Sequence, residues 1–346
     1  MPANSSVLII YSGGTIGMIE DPETGELHPF DFKHLADQVP ELKKFEVSLT
    51  TISLEKPIDS SDMRPENWAK FAEIIQENYD QYDGFVILHG SDTMAYSASA
   101  LSFMLEDLSK PVIFTGSQLP IGTIRTDGKE NLITAIEIAA AKTAGNPVVP
   151  EVAIYFEYQL YRGNRTRKFN AEHFQAFQSS NYPVLAQAGV SIKYDLNAIQ
   201  PFVAGKQLKV SSSMDNNIVI LKIFPGLSSK VVKAIVEIKG LKAIVLETFG
   251  AGNGPIDAGF FSCLENAINR GVVILNITQC NSGSVLQGKY QTSSVFNRIG
   301  VIGGGDITSE AAVTKLMYLF GKGLPLDEIK TLLRKSIRGE LTEIAQ

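Results

Sequence analysis

The sequence predicts two α/β domains with mainly parallel sheets, the N-terminal domain larger than the C-terminal one. Short apolar runs alternate with segments whose apolar residues recur at helical spacing. That alternation fades in a polar stretch at residues 191–217 and then resumes. The chain has 346 residues, which is enough for two ordinary domains with a core each.

The first half of the chain contains the clearest pattern. Four apolar runs predict buried strands, namely VLIIY (7–11), GFVILHG (84–90), PVIFTGS (111–117) and EVAIYF (151–156). Three segments between them predict helices, namely RPENWAKFAEIIQENY (64–79), AYSASALSFMLEDL (95–108) and DGKENLITAIEIAAAK (127–142). Asp127 is expected to cap the third helix.

The second half repeats the alternation. Strands are predicted in IVILKIF (218–224), AIVLETFG (243–250), VVILNITQC (272–280) and GVIGGGD (300–306), with helices near 228–239, near 259–269 and toward the end. We therefore predict an N-terminal domain at 1–200, a linker at 201–216 and a C-terminal domain at 217–346.

Composition narrows the class of protein. The net charge of -6 and the pI of about 5.4 argue against a nucleic-acid partner. The sequence has no apolar stretch of membrane-spanning length and no leader-like N-terminus, so we predict a cytoplasmic protein without a membrane partner. Cys263 and Cys280 match neither a disulfide framework nor a zinc motif and are expected to be buried, inert thiols.

Polar loops at strand ends are the places to look for a site, because ligands bind beyond the carboxyl ends of parallel strands. Four loops stand out, namely SGGTIG (12–17), DSSDM (59–63), HGSDTM (89–94) and TGSQLP (115–120). The first loop allows two interpretations, a phosphate cradle or a threonine nucleophile.

The phosphate interpretation is weak. In the dinucleotide fingerprint the first glycine would fall on Ser12, and Pro22 and Pro29 leave no helix after the loop. GTIRTDGKE (122–130) departs from the Walker pattern in spacing and in its last residue.

The nucleophile interpretation fits the residues better. Glycines let the chain turn sharply and let substrate approach the backbone, while Thr15 offers a hydroxyl beside N–H groups that can stabilise an oxyanion. A hydroxyl needs activation, and Asp92 beside Ser91, paired with Lys168, can supply it. Taken alone, Thr15 is more often a plain turn residue than a nucleophile. Ser91, Asp92 or Thr93 alone would suit a helix cap.

Several motifs together resemble the bacterial L-asparaginase family, most closely its cytoplasmic type I branch. They are GGTIGM, DSSDM, DGFVILHGSDTMAYSASALSFML, KPVIFTGSQLP, DGKENL, YRGNRTRK, GAGNGP, VVILNITQC, GVIGGGD and IRGEL. They occur in order over nearly the whole chain. The resemblance implies an asparaginase-like fold and hydrolysis of L-asparagine to aspartate and ammonia.

The resemblance also implies roles for residues. Thr15 would attack the side-chain amide to form a threonyl acyl-enzyme, and Ser91, Asp92 and Lys168 would form a second catalytic set. The predicted substrate-binding residues are Gly14, Ser60, Ser61, Asp62, Ser117 and Asn253, the last reaching a neighbouring subunit's site. It implies no metal and no organic cofactor, and a homo-oligomer, commonly a tetramer of close dimers.

Two departures from the family pattern stand out. Position 91 is Ser where the family usually has Thr, so the hydroxyl is kept and a methyl group is lost. The family's lid tyrosine has no counterpart in PETGELHPF (22–30), and Tyr11 is expected to be buried in the first strand.

Three other functions remain open. A sister family releases ammonia from glutamine for transfer RNA charging, but its extra N-terminal portion has no room before residue 12. A glutaminase-asparaginase would also accept glutamine, which is one methylene longer than asparagine. A pocket discriminates one methylene by only about 1–3 kcal/mol. A non-catalytic amino-acid-binding regulator would keep the pocket and show no turnover.

Overall fold

The computed structural model describes residues 5–20, 24, 27–29, 39–44, 46–288 and 291–343. The chain divides into two compact units, Met1–Ser212 and Ser213–Gln346. The division falls inside the stretch predicted as a linker. In that stretch Lys209–Val210 pairs with Leu105–Glu106 of the first unit.

The first unit is built on a mixed eight-stranded sheet. Its strands, with the shorter ones around them, are β1 (Ser5–Tyr11), β2 (Met18–Glu20), β3 (Leu27–Pro29), β4 (Val47–Ser53), β5 (Gly84–Leu88), β6 (Leu105–Glu106), β7 (Val112–Thr115), β8 (Lys142–Thr143), β9 (Asn146–Pro147), β10 (Val152–Phe156), β11 (Gln159–Arg162), β12 (Arg167–Lys168), β13 (Phe177–Gln178), β14 (Ala186–Gln187), β15 (Lys193–Tyr194) and β16 (Lys209–Val210). Its helices are α1 (Pro65–Asn78), α2 (Met94–Met104) and α3 (Gly128–Ala140).

The sheet has the strand order β15-β14-β11-β10-β7-β5-β1-β4. The five neighbouring strands β4, β1, β5, β7 and β10 run parallel. β11, β14 and β15 extend the sheet with antiparallel pairs. Every residue of β5, β7 and β10 is buried, because helices cover both faces of a parallel sheet. The parallel prediction is therefore confirmed for the part of the sheet that leads into the polar loops.

The structure corrects three local predictions in this unit. β4 was missed because VSLTTIS alternates half-buried and exposed residues and lacks an apolar run. The second helix ends at Met104, since Leu105–Glu106 leaves the helix to pair with β16. Asp127 occupies the cap position of α3 without capping it, and its carboxylate accepts hydrogen bonds from other groups.

The second unit has a four-stranded parallel sheet of order β17-β18-β19-β20. Its elements are β17 (Ile218–Lys222), α4 (Ser229–Val236), β18 (Ala243–Thr248), α5 (Ala258–Asn269), β19 (Val273–Thr278), α6 (Gln291–Ile299), β20 (Ile302–Gly303), α7 (Ser309–Gly321) and α8 (Leu326–Leu333). Apolar residues of β17, β18 and β19 pack with α4, α5 and α6 in one core cluster. The predicted strands and the helices predicted near 228–239, near 259–269 and toward the end are confirmed, whereas α6 was not predicted.

The prediction of buried thiols is wrong for this unit. Cys280 is exposed after β19, and Cys263 is half-buried on α5. Both are free. Among the described residues, no helix combines the length and apolar composition that crossing a membrane requires.

A buried ion pair joins α7 to the C-terminal segment. The Nζ of Lys315 lies 2.5 Å from Oε1 of Glu340, and both side chains are completely buried. Lys315 also donates to the carbonyl of Lys335, while Glu340 accepts from the backbone N–H groups of Ile337 and Arg338. Burial lowers the pKa of Lys315, which the charge of Glu340 opposes.

Lys315→Met is expected to lower the free energy of unfolding by about 3–5 kcal/mol, because Glu340 keeps a buried charge without the cation that balances it. The matched control is Lys330→Met, whose partner Asp327 is 97 % exposed and whose loss should cost about 0–1 kcal/mol. Urea unfolding followed by circular dichroism measures both, since the only tryptophan, Trp68, lies in the first unit. Equal losses in the two variants would contradict the prediction.

Candidate active site

The loops after β1, β4 and β5 touch through their backbones. A side chain at Gly13 would place its Cβ 2.3 Å from the carbonyl oxygen of Ile58, and one at Gly14 would lie 2.5 Å from the amide nitrogen of Gly90. Gly13 and Gly14 also have φ values of 126° and 86°, which favour glycine. Contact and conformation both require glycines here.

Hydrogen bonds tie the same loops together. Ser12 donates from its amide and its hydroxyl to the carbonyl of Leu88, at 3.0 and 2.8 Å, and accepts from the amide of Ile58 at 2.7 Å. A Cβ on Gly90 would meet the hydroxyl of Ser60 at 2.5 Å. The ends of the parallel strands therefore bring the three predicted loops into one cluster.

A cavity of about 320 Å³ opens where these loops meet. It is lined by five of the predicted site residues, Gly14, Thr15, Ser60, Ser91 and Asp92. Asp59 also lines it and was missed, although it lies in a loop that the sequence singled out. The volume is at the small end of the range for ligand pockets, which suits a small molecule.

Thr15 begins a short 3-10 turn, Thr15–Gly17, directly after the glycines. Its side chain is half-buried. Its hydroxyl makes no hydrogen bond to any residue in the described ranges. Most of the segment at 22–30, where the sequence lacks a lid tyrosine, lies outside the described residues.

Lys168 connects two of the predicted catalytic residues, Ser91 and Asp92. Its Nζ lies 2.6 Å from Oδ1 of Asp92 and donates to the hydroxyl of Ser91 at 2.8 Å. The hydroxyl of Ser91 in turn donates to Oε1 of Gln118 at 3.1 Å. Lys168 is 17 % exposed and Asp92 64 %, so the pair lies at the mouth of the cavity.

The backbone that carries Lys168 is held by buried polar contacts. Lys168 ends the basic segment RGNRTRK (162–168), of which residues 162–166 are buried. Arg162 pairs with Glu151 at 2.6 Å. Arg162 also donates to the carbonyl of Ala198, and its guanidinium lies 4.4 Å from the ring centre of Tyr182. This segment is therefore buried and hydrogen-bonded, which is unusual for so many consecutive polar residues.

Gln118 was missed, although its loop was singled out. Its backbone N–H donates to the carboxylate of Asp127 at 2.9 Å, and its side-chain Nε2 donates to the carbonyl of His173 at 3.1 Å. Burial raises the pKa of Asp127. The predicted neighbour Ser117 is 3 % exposed, donates its hydroxyl to the carbonyl of Leu119 and does not line the cavity.

The loop after β4 forms a short turn, Ser60–Asp62, capped by Asp59. The carboxylate of Asp59 accepts from the amide and the hydroxyl of Ser61, both at 2.9 Å, and these bonds lower its pKa. Ser61 and Asp62 are exposed and do not line the cavity. The hydroxyl of Thr93 donates to the carbonyl of Ser60 at 2.6 Å. Thr93 precedes α2, but its side chain does not make the capping hydrogen bond that the sequence allowed.

Asn253, predicted to bind substrate, lies in the second unit. Its backbone pairs with Phe249 in an isolated bridge that closes a tight loop. Buried Asn276 donates to the carbonyl of Gly252 in the same loop at 3.3 Å. Among the residues that the structure describes, no group of three His, Cys, Asp or Glu side chains is arranged to hold a metal ion.

His89 is completely buried beneath the third loop. Its Nδ1 lies 2.7 Å from the carbonyl of Gly90, and its Nε2 lies 2.9 Å from the hydroxyl of Ser97. Trp68 donates to the same hydroxyl at 2.8 Å. Burial lowers the pKa of His89 to about 4, so the ring is neutral near pH 7.

Fold and site together define a two-domain α/β protein with a threonine hydroxyl at the end of its first strand. The chain belongs to the asparaginase family. The family description "Asparaginase, N-terminal" matches residues 6–200, and "Glutaminase/Asparaginase C-terminal domain" matches residues 217–333.

Individual relatives agree with this assignment. The chain is 44 % identical to L-asparaginase 1 of Escherichia coli strain K12, over 97 % of this chain and 98 % of that protein. The crystal structure of L-asparaginase I from Vibrio cholerae superposes with a TM-score of 0.90 at 40 % identity, covering 98 % of this chain and all of that one. The thermostable L-asparaginase from Thermococcus kodakarensis superposes with a TM-score of 0.88 at 31 % identity, covering 97 % of this chain and 99 % of that one.

The buried histidine predicts a pH dependence of stability. Its native pKa of about 4 lies below the ordinary value of 6.5, so the unfolded chain takes up a proton that the native protein does not. The contribution is complete above pH 6.5 and is lost as the pH falls toward 4. Its full size is about 3 kcal/mol.

Urea unfolding at pH 7 and pH 4.5 measures this effect in the unaltered protein and in His89→Gln. We expect the loss of stability between the two pH values to be smaller in the variant by about 2–3 kcal/mol. An identical pH dependence in both proteins would show that His89 does not titrate as its burial requires.

Proposed function

We propose that this protein is an L-asparaginase that converts L-asparagine and water to L-aspartate and ammonia. One observation supports the proposal most directly. The cavity is lined by the hydroxyls of Thr15 and Ser91 and the carboxylate of Asp92, with Lys168 bonded to the latter two. The 44 % identity to an L-asparaginase over almost the whole chain supports the same reaction.

The proposed chemistry has two steps. In the first, the hydroxyl oxygen of Thr15 attacks the side-chain amide carbon of asparagine, and the C–N bond breaks. The hydroxyl proton reaches the leaving nitrogen, so ammonia departs and an aspartyl ester of Thr15 remains. In the second step, water attacks the ester, releases aspartate and restores the threonine hydroxyl.

Ser91, Asp92 and Lys168 are proposed to handle the protons. Ser91 accepts a hydrogen bond from the Lys168 ammonium and donates its own proton to Gln118. Lys168 lies 2.8 Å from the hydroxyl of Ser91 and 2.6 Å from Asp92, and this hydrogen-bonded set is proposed to relay the protons. The serine at position 91 keeps the hydroxyl that this role needs.

Substrate recognition is proposed to use the carboxylates that line the cavity. Asp59 and Asp92 line the cavity and suit the α-ammonium group of an amino acid. Gly14, Ser60, Ser61, Asp62, Ser117 and Asn253 remain the predicted binding set. Of these, Gly14 and Ser60 line the cavity.

Glutamine is the alternative substrate, because it differs from asparagine by one methylene, worth about 1–3 kcal/mol. The family that matches the C-terminal domain includes glutaminases as well as asparaginases. Parallel assays with asparagine and glutamine measure the ratio of the two kcat/KM values and decide between the two specificities.

We further propose a homotetramer of close dimers in the cytoplasm, as the family resemblance implies. Two free cysteines, one of them exposed, suit a reducing compartment. Sedimentation of the purified protein measures the assembly state.

Thr15→Ala is expected to lower kcat for asparagine by about a thousandfold or more, because the ester cannot form without the hydroxyl. Thr15→Ser keeps the hydroxyl and is the matched control, for which we expect much smaller losses. Ammonia release measures both. Near-normal turnover by a correctly folded Thr15→Ala protein would refute the nucleophile assignment.

Asp92→Ala, Lys168→Met and the double variant are expected to lose similar amounts of activity, since residues that act as one unit are non-additive. The control is Lys142→Met, which breaks an ion pair of 2.8 Å with Asp83 away from the cavity and should leave kcat unchanged. Steady-state kinetics of the four proteins provide the test. Fully additive losses would mean that Asp92 and Lys168 act independently.

A further inference from the structure

The side chain of Tyr11 lies beneath the turn that carries Thr15. Tyr11 is the last residue of β1 and is 2 % exposed. Its hydroxyl donates to the carbonyl of Gly17 at 3.3 Å. Tyr11 thus links β1 to the Thr15–Gly17 turn, whereas the sequence alone predicted only that Tyr11 is buried in the strand.

Gly17 is in direct contact with the ring of Tyr11. A Cβ at Gly17 would lie 2.3 Å from both the hydroxyl and a ring carbon of Tyr11. Gly17 is absent from the glycines with positive φ, so its backbone conformation suits any residue. The tyrosine ring is therefore the reason why this position has room only for glycine.

Two further contacts of the turn lie within the described part of the chain. The amide of Gly17 donates to the carbonyl of Gly14 at 3.2 Å, and Ile16 packs in the same core cluster as Tyr11. The hydroxyl of Thr15 makes no hydrogen bond within the described ranges, so the turn backbone decides where it points. Whatever supports the turn also positions the hydroxyl.

We propose that Tyr11 is a positioning residue for the nucleophile: its ring supports the Thr15–Gly17 turn, and its hydroxyl holds the carbonyl of Gly17. This inference rests on the proposed function. Tyr11 is buried and does not line the cavity, so it acts through the backbone on either side of Thr15.

The state of the tyrosine hydroxyl supports a role in positioning rather than in proton abstraction. Burial raises the pKa of Tyr11 to about 12, so the hydroxyl keeps its proton at neutral pH and donates to Gly17. A general base needs a pKa near the working pH.

A pair of size changes tests the contact. Gly17→Ala should lower kcat about a hundredfold, because its Cβ pushes the turn off the ring and a displacement near 1 Å costs about that much. Adding Tyr11→Leu removes the ring atoms that collide with the new Cβ. The double variant should therefore turn over at least about tenfold faster than Gly17→Ala alone.

A hydroxyl deletion tests the hydrogen bond. Tyr11→Phe should lower kcat about three- to tenfold with little change in KM, as expected for loss of the hydrogen bond to the carbonyl of Gly17. The matched control is Tyr161→Phe, since Tyr161 is 3 % exposed, also has a pKa raised to about 12 by burial, and bonds to Gln159 in β11. Gly122→Ala is the control for an added Cβ, which would meet nothing within 4 Å. Both controls should keep kcat.

The outcomes separate this inference from the proposed function. If the unaltered protein hydrolyses asparagine, a double variant no faster than Gly17→Ala, or a Tyr11→Phe protein as active as Tyr161→Phe, overturns the positioning role. Failure of the unaltered protein to hydrolyse asparagine contradicts the proposed function instead. In that case crystal structures still decide, because an unmoved Thr15 in Gly17→Ala would overturn the inference and a displaced one would support it.

Discussion

Close contact between backbones at the ends of β1, β4 and β5 is the constraint on which the site depends. Gly13 and Gly14 let the first loop lie against Ile58 and Gly90 with no side chain between them. Because these loops continue strands in parallel register, the sheet sets the relative positions of their hydroxyls and carboxylates. A methyl group at either glycine would separate the loops and open the cavity.

The segment that follows the antiparallel strand β11 contributes the cation of the site, Lys168 on β12. Arg162 ends β11, and its buried pairing with Glu151 holds the segment that leads to Lys168. A buried ion pair contributes little net stability compared with apolar packing, but breaking it leaves a buried charge. Its use here is to hold one backbone path, so that Lys168 reaches Ser91 and Asp92.

The sequence predicted much of the parallel framework and where the site would be found. Continuous apolar runs are visible in a sequence because both faces of a parallel strand are buried, and this predicted β1, β5, β7 and β10. Glycines, hydroxyls and carboxylates at strand ends identified the loops that line the cavity. Five of the predicted residues lie around it, although their chemical roles remain proposals.

By itself, then, the sequence determined the features that depend on local pattern, which are the buried strands, the main helices and the polar loops. Tertiary structure decided everything that depends on a distant partner. Leu105–Glu106 leaves a helical pattern because β16 pairs with it, and Asp127 binds the loop at Gln118 where capping was expected. From the sequence Tyr11 is predicted to be one more core residue, and only the folded structure shows that the Thr15–Gly17 turn packs against its ring. The physical reason is that such contacts join residues through space, and no spacing along the chain records which partner a side chain will meet.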